Sequence, residues 1–225
     1  RAGDTIREPQ FLLDNHLMQF DRVISNPPFS LDKWGRETAE RDPFGRFGYG
    51  IPPATKGDWA FVLHMINILN ETGKLAVIVP HGVLFRGGAE GRVRTNVLKD
   101  DLVEAVIGLA PNLFFGTSIP AGILIINKDK PAERKGKVLF IEASVEFQEG
   151  KNQNCLRRDD IEKIVMAYRD YKDVEKFCRV VPMKEIAEND YNLNITRYVD
   201  TKPEEEVVDV AGVARELHDL REHRA

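Results

Sequence analysis

The residues best suited to carry chemistry lie in DRVISNPPFS (21–30), where an apolar run ends at Asn26, Pro27, Pro28 and Phe29. The side-chain oxygen of Asn26 and the backbone carbonyl of Pro27 are two hydrogen-bond acceptors, and neither is a base. Aimed at the two N–H groups of an amino or amide nitrogen, they would make that weakly nucleophilic nitrogen pyramidal and able to accept a methyl group. The sequence therefore predicts a site for nitrogen methylation.

The other residues of this corner favour the same chemistry. Each proline fixes its own φ, and Pro28 also restricts Pro27, so the Pro27 carbonyl is held in one direction. Phe29 offers a flat apolar face on which a planar base could stack. The plain alternative is an ordinary strand end, since Pro and Asn often terminate strands.

The elements around the corner are typical of a parallel sheet with helical crossovers. FDRVIS (20–25) predicts a buried strand, 30–57 a long loop, and Asp58 an N-cap for a helix that ends at Gly73. KLAVIVP (74–80) is nearly continuous in apolar residues and predicts the next strand. Ligand-binding loops of such sheets follow the carboxyl ends of strands, which is where Asn26 stands.

The rest of the chain predicts a mixed α/β fold. A basic helix is expected at about 89–99, and strands at 102–109, 121–127 and 137–143. Short strand-to-strand loops predict antiparallel pairing at one sheet edge. From about residue 145 the chain becomes more charged and helical in pattern, and near its end an apolar seam suits a helix that pairs with another helix or docks on its own domain; its members are Val210, Val213, Leu217 and Leu220.

Composition limits the function classes. The 225 residues carry a net charge of −4, so contact with nucleic acid would need a local basic strip or a partner. Candidates for that strip are Arg86, Arg92, Arg94 and Lys99, with a solvated helix face as the alternative reading. Apolar runs are too short to span a bilayer, and we expect a cytoplasmic protein with no membrane partner. Cys155 and Cys178 predict two unpaired thiols, and no residue spacing indicates a metal site.

These motifs resemble, nearly end to end, the modification (methyltransferase) subunit of type I restriction-modification systems. The stretches that carry the resemblance are DRVISNPPFS, FGYGIPP, DWAFVLHMINIL, LAVIVPHGVLFRGGAEGRVR, AVIGLAPNLFFGTSIPAGILIIN, GKVLFIEAS, GKNQN and NDYNLNITRYVD. The resemblance implies a DNA methyltransferase that transfers a methyl group from S-adenosylmethionine to adenine N6. It also implies the C-terminal part of a Rossmann-like class I methyltransferase sheet, with an antiparallel edge, followed by a helical tail.

The same resemblance implies roles for particular residues and partners. Asn26, Pro27, Pro28 and Phe29 match the catalytic motif, and Asp4 matches the acidic position that contacts the adenine of the cofactor; a turn aspartate is the alternative for Asp4. Residues 1–144 would belong to the catalytic domain and 145–225 to a mainly helical tail that contacts the specificity subunit. DNA with a flipped adenine, the specificity subunit and a restriction subunit are the implied partners.

One departure from the family pattern bears on activity. The sequence lacks the Gly-rich loop after an N-terminal strand that lets a nucleoside cofactor approach the backbone. GGAEG (87–91) lacks the required spacing. We therefore expect that cofactor binding needs a further N-terminal part, and that this chain alone neither binds S-adenosylmethionine usefully nor methylates.

Two other functions remain open from the sequence. A protein-glutamine methyltransferase must also methylate a weakly nucleophilic nitrogen, that of an amide. Against this function, this sequence has Phe29 where that family usually has tyrosine. A non-catalytic assembly module would use only the tail.

His64 is read as a packed histidine, while His81 at a strand end is as much a candidate site residue as a structural one. Aromatic residues of the 30–57 loop either clamp a flipped base or pack the loop on itself; they are Trp34, Phe44, Phe47 and Tyr49.

Overall fold

Six strands form one mixed sheet in the computed structural model, which describes residues 2–201. The strands in chain order are β1 (Leu12–Leu13), β2 (His16–Leu17), β3 (Phe20–Ser25), β4 (Leu69–Pro80), β5 (Val103–Leu109), β6 (Ala121–Asn127), β7 (Lys137–Ala143) and β8 (Cys178–Pro182). The short hairpin β1–β2 is separate, and the large sheet has the order β3-β4-β6-β5-β7-β8. The predicted α/β class is confirmed.

The sheet combines parallel and antiparallel pairs. β3 pairs with β4 and β5 with β7 in parallel, while β6 is antiparallel to both of its neighbours and β8 is antiparallel to β7. The predicted antiparallel pairing of β5 with β6 is present, but these two strands lie inside the sheet. The antiparallel edge strand is β8.

Helices pack against both faces of the sheet. The helices are α1 (Arg36–Ala39), α2 (Asp58–Asn67), α3 (Gly82–Phe85), α4 (Gly88–Lys99), α5 (Arg158–Asp170) and α6 (Met183–Glu188). Side chains of β5 and β7 alternate between two cores: Val106 and Phe140 pack with α2 and α4, while Ile107 and Ile141 pack with α5.

Two sequence-based expectations for these elements are wrong. The second helix ends at Asn67, not Gly73, because the chain from Leu69 onward is already strand and pairs with β3. β3 itself is not buried: it lies at an open edge, and the Ile24 side chain is 85% exposed. Apolar residues favour a strand, but they do not show whether a neighbouring element covers it.

Residues 145–201 contribute to the same sheet. α5 packs on β7, β8 pairs with it, and the Tyr198 ring stacks on Phe140 with centroids 4.3 Å apart. The division into 1–144 and 145–225 stays a prediction, because the seam from Val210 to Leu220 lies outside the described residues. Within residues 2–201, no helix has the length and apolar character needed to cross a membrane.

Candidate active site

The Asn26 to Phe29 corner follows directly from the carboxyl end of β3. Ser25 pairs with Val77 of β4, so Asn26 emerges beside the end of a second strand. Neither the Asn26 side chain nor the Pro27 carbonyl has a hydrogen-bond partner among residues 2–201, and Asn26 is exposed. Two hydrogen-bond acceptors are thus left open at the corner.

Asp58 fixes the backbone at the point where the chain leaves the corner. Ser30, the residue after Phe29, has a φ of 50°, in the left-handed region that non-glycine residues seldom adopt. Its backbone N–H donates to the Asp58 carboxylate at 2.7 Å, and Asp58 is 2% exposed. The expected N-cap role of Asp58 is wrong: Gly57 is the N-cap of α2, and the Asp58 carboxylate fixes the exit from the corner.

Arg86 lies close to Asp58 and to a second buried carboxylate. The Arg86 guanidinium lies 3.4 Å from Asp58 Oδ2 and 3.4 Å from Glu90 Oε1. Burial raises the pKa of the Glu90 carboxyl above its ordinary value, and the Arg86 charge opposes that rise. Arg86 therefore compensates two buried acidic groups at the base of the site.

Aromatic rings border the open acceptors. A cavity of about 460 Å³ is lined by the corner, by Arg86 and by the loop between β5 and β6. Phe114 from that loop meets Phe29 edge to face with centroids 6.1 Å apart, and Phe115 is 94% exposed at the cavity. Sequence reasoning missed both loop residues; the FF pair ahead of Gly116 was a signal, but its nearness to Phe29 is a tertiary contact.

Asp4 has local partners. Its carboxylate accepts hydrogen bonds from the backbone N–H groups of Ile6 and Arg7 and forms an ion pair with the Arg7 guanidinium at 2.8 Å. Partial burial works to raise the pKa of Asp4, but the hydrogen bonds from Arg7 and Ile6 hold it below its ordinary value. This is the geometry of a turn aspartate, and the cofactor role of Asp4 remains a hypothesis.

The long loop is packed by its own side chains. Trp34 is 1% exposed and donates its indole N–H to the Pro53 carbonyl at 2.8 Å, and Phe47 is buried beside it. Tyr49 donates its hydroxyl to Asp100. The contacts of Trp34, Phe47 and Tyr49 therefore favour a packing role for these aromatic residues over a role in clamping a flipped base.

The two histidines, His64 and His81, have different surroundings. His64 is buried and faces the Arg46 guanidinium at 3.2 Å, which confirms a packed histidine. His81 precedes α3, and its Nε2 is buried without a hydrogen-bond partner among the described residues. Burial lowers the pKa of His81, with Glu142 opposing. His81 does not line the corner cavity, so its site role stays a hypothesis.

The predicted basic strip is only partly available. Arg94 is 3% exposed and donates to the carbonyls of Val83, Arg86 and Tyr191, so it is structural. Arg86 is paired as described above, while Arg92 and Lys99 are exposed.

Comparison with known proteins defines the class of this fold and site. The family model described as N-6 DNA Methylase matches residues 1–207, and the chain belongs to that family. Methylase subunits of two type I restriction enzymes of Methanocaldococcus jannaschii, MjaVIII and MjaVII, are 40% and 38% identical to it, over 97% and 98% of this chain.

A solved structure agrees with both the family and the fold. The crystal structure of the type I restriction-modification system methyltransferase subunit from Streptococcus thermophilus matches 88% of this chain with a TM-score of 0.80 and 44% identity. The sequence resemblance is thereby confirmed. The chain spans 39% and 38% of the length of the two archaeal relatives and 41% of the streptococcal one.

Proposed function

We propose that this chain carries the methyl-transfer corner of the modification subunit of a type I restriction-modification system, and that the subunit methylates adenine N6 in DNA. The observation that carries the proposal is the pair of open acceptors, Asn26 and Pro27, at a strand end beside Phe29 and Phe115. Membership of the N-6 DNA methylase family favours an adenine amino group over a glutamine amide.

The proposed mechanism uses the corner residues on a flipped adenine. Its ring would enter the cavity against Phe29 and Phe115, because planar bases stack on aromatic faces. The Asn26 oxygen and the Pro27 carbonyl would accept the two amino hydrogens and localise the nitrogen lone pair. S-adenosylmethionine, the donor used by this family, would supply an electrophilic methyl group when bound, with S-adenosylhomocysteine as the leaving group. After transfer the amino nitrogen is cationic and loses its proton readily to water.

The described residues offer only part of a cofactor site. Asp4 is engaged in its own turn, and no Gly-rich cofactor loop accompanies β3 among residues 2–201. An open apolar face adjoins Asn26 instead, formed by Ile24, Ala76, Ile78 and Ile123. We propose that a further segment of the same subunit covers this face, pairs with the β3 edge and completes the site for S-adenosylmethionine. The isolated chain would then be inactive.

The partners follow from the same proposal. A specificity subunit would supply sequence readout, with a restriction subunit as a further partner in cleavage, and activity on chromosomal DNA would place the complex in the cytoplasm. The relatives bear on these partners through their names as subunits of type I restriction enzymes.

The test is methyl transfer by the parent subunit that contains this segment, assembled with its specificity subunit. Radiolabelled S-adenosylmethionine and unmodified genomic DNA are incubated with the complex, and the DNA is digested to nucleosides. We expect label in N6-methyladenine with the wild-type complex and with an exposed-asparagine control, Asn152→Ala, but not with Asn26→Ala. Label in protein, or equal activity of the Asn26→Ala complex, would overturn the proposal.

A further inference from the structure

A second concave surface lies on the far side of the turn that closes the corner cavity. One wall is a face of α4 and the other is the segment 189–197, and together they enclose a groove of about 540 Å³. Phe85 and Gly87 line this groove while Arg86, between them, lines the corner cavity. The two concave surfaces are therefore separated by a single turn of chain.

The groove carries positive charge that the protein does not neutralise. Arg92, Lys99 and Arg197 line it and are exposed, and none of the three forms an ion pair within residues 2–201. Lys99 lies over the Tyr191 ring at 5.7 Å, and Arg197 donates weakly to the Asn189 side chain at 3.4 Å. Asp190 is the one acidic residue of the lining. The three exposed cations thus outnumber Asp190 by two, and the buried Arg94 also lines the groove, on a chain of net charge −4.

The walls of the groove are fixed with respect to each other. Arg94 reaches from α4 to the Tyr191 carbonyl at 2.9 Å and to the Arg86 carbonyl at 2.8 Å. Because Arg94 is buried, these charge-assisted bonds hold the segment 189–197 against the turn that leads to the corner. The groove is therefore preformed, and its exposed cations lie at a set position relative to Asn26.

The spacing of the cations suits a nucleic-acid backbone. Arg92 and Lys99 are seven residues apart on α4, or about 10 Å along the helix axis. A DNA strand carries one phosphate per about 3.4 Å of helix rise, so this distance corresponds to about three nucleotides. Gly87 and Gly88 at the start of α4 line the same groove, and no side chain caps this end of the helix, where the helix dipole favours an anion.

We propose that this groove binds the phosphodiester backbone of the nucleic-acid strand whose base enters the corner cavity. The inference rests on the proposed function, because the corner supplies the reason for a strand to pass here. Phosphate contacts of this kind fix register and orientation without reading sequence. An acidic protein segment is the less favoured occupant, since a base-binding cavity adjoins the groove.

The test measures binding of a short fluorescent DNA duplex to the 225-residue chain by anisotropy, from about 50 to about 200 mM salt. The groove variant is Arg92→Gln/Arg197→Gln, and the control is Arg158→Gln/Arg169→Gln, which removes the same charge from exposed positions of α5. We expect the groove variant to bind DNA duplexes of any sequence more weakly than wild type. The magnitude of its slope of log K against log salt should be smaller by about 1.5 to 2. The control should keep a slope near the wild-type value.

Three results would overturn this inference: no DNA binding by the wild-type chain at about 50 mM salt, equal slopes for the groove and control variants, or displacement of DNA by polyglutamate at matched charge concentration. Circular dichroism checks that both variants are folded. Asn26→Ala separates the two proposals, because it removes no charge and should leave the salt slope unchanged while abolishing methylation in the parent complex. If the groove variant binds DNA like the control while Asn26→Ala still abolishes methylation, only the present inference is contradicted.

Discussion

At the scale of single residues, the corner depends on a contact that bridges 28 positions of sequence. Ser30 leaves the corner in a left-handed conformation, and the buried Asp58 carboxylate accepts its N–H while facing Arg86. A backbone conformation of this kind costs free energy and persists only where its surroundings determine it. Asp58 is buried and does not line the corner cavity, so we infer that it positions the acceptors from outside the cavity.

Replacing Asp58 should destabilise the fold. Asp58→Ala leaves the Ser30 N–H without its acceptor and the Arg86 guanidinium with Glu90 alone, and we expect the free energy of unfolding to fall by about 1–3 kcal/mol. Asp58→Asn keeps an acceptor oxygen and should cost less. Urea denaturation of the two variants measures the difference, and a wild-type midpoint for Asp58→Ala would contradict the assigned contact.

His64 predicts a pH dependence of stability. Burial lowers the pKa of His64 from 6.5 to about 4, with the Arg46 charge adding to the effect and Asp42 opposing it. The folded protein therefore holds His64 neutral, so its contribution is complete above pH about 6.5 and is lost as the pH falls toward 4. That loss is on the order of 3 kcal/mol.

The measurement is the free energy of unfolding between pH 7 and 4 for wild type, His64→Gln and His16→Gln. His64→Gln should show a shallower decline than wild type, because the group that must protonate is gone. His16→Gln changes an exposed histidine and should follow the wild-type curve. Parallel curves for all three proteins would show that His64 is not held neutral.

At the scale of elements, β3 is an edge strand with no strand paired on its outer side among residues 2–201. Ile24 is 85% exposed, whereas Ile126 in β6 is fully buried. Ile24→Ala should change the free energy of unfolding of this chain by less than about 0.5 kcal/mol. Ile126→Ala should cost about 2–5 kcal/mol. In the parent subunit, where we propose a covering segment, Ile24→Ala should also be costly; an unchanged stability there would contradict that segment.

The elements also show what the sequence could predict. Strands β6 and β7 match their predicted bounds because uninterrupted apolar runs with turn residues at both ends have few other solutions. The end of α2 was misjudged because the apolar spacing continues through Leu69, where pairing with Phe20 decides for strand. The corner was predictable from a local motif. Asp58 and Phe115 were not, since their partners are distant in sequence.

At the scale of the whole molecule, we predict that the last residues of the chain join it to the specificity subunit. The seam of Val210, Val213, Leu217 and Leu220 has the spacing of a helix-pairing surface. Val213→Asp/Leu217→Asp should abolish capture of the chain by an immobilised specificity subunit. Ala214→Asp/His218→Asp adds the same charges at the same spacing off the seam and should leave capture intact. Equal capture of both variants would place the contact elsewhere.

The whole account depends on Asn26 acting as a hydrogen-bond acceptor and not as a base or a strand end. The most direct test compares initial rates of N6-methyladenine formation by the parent complex carrying wild-type Asn26, Asn26→Asp or Asn26→Ala. Aspartate still presents an acceptor oxygen at this position, whereas alanine presents none. The account predicts reduced but measurable activity for Asn26→Asp and none for Asn26→Ala. Wild-type activity for Asn26→Ala, or equal loss in both variants, would contradict it.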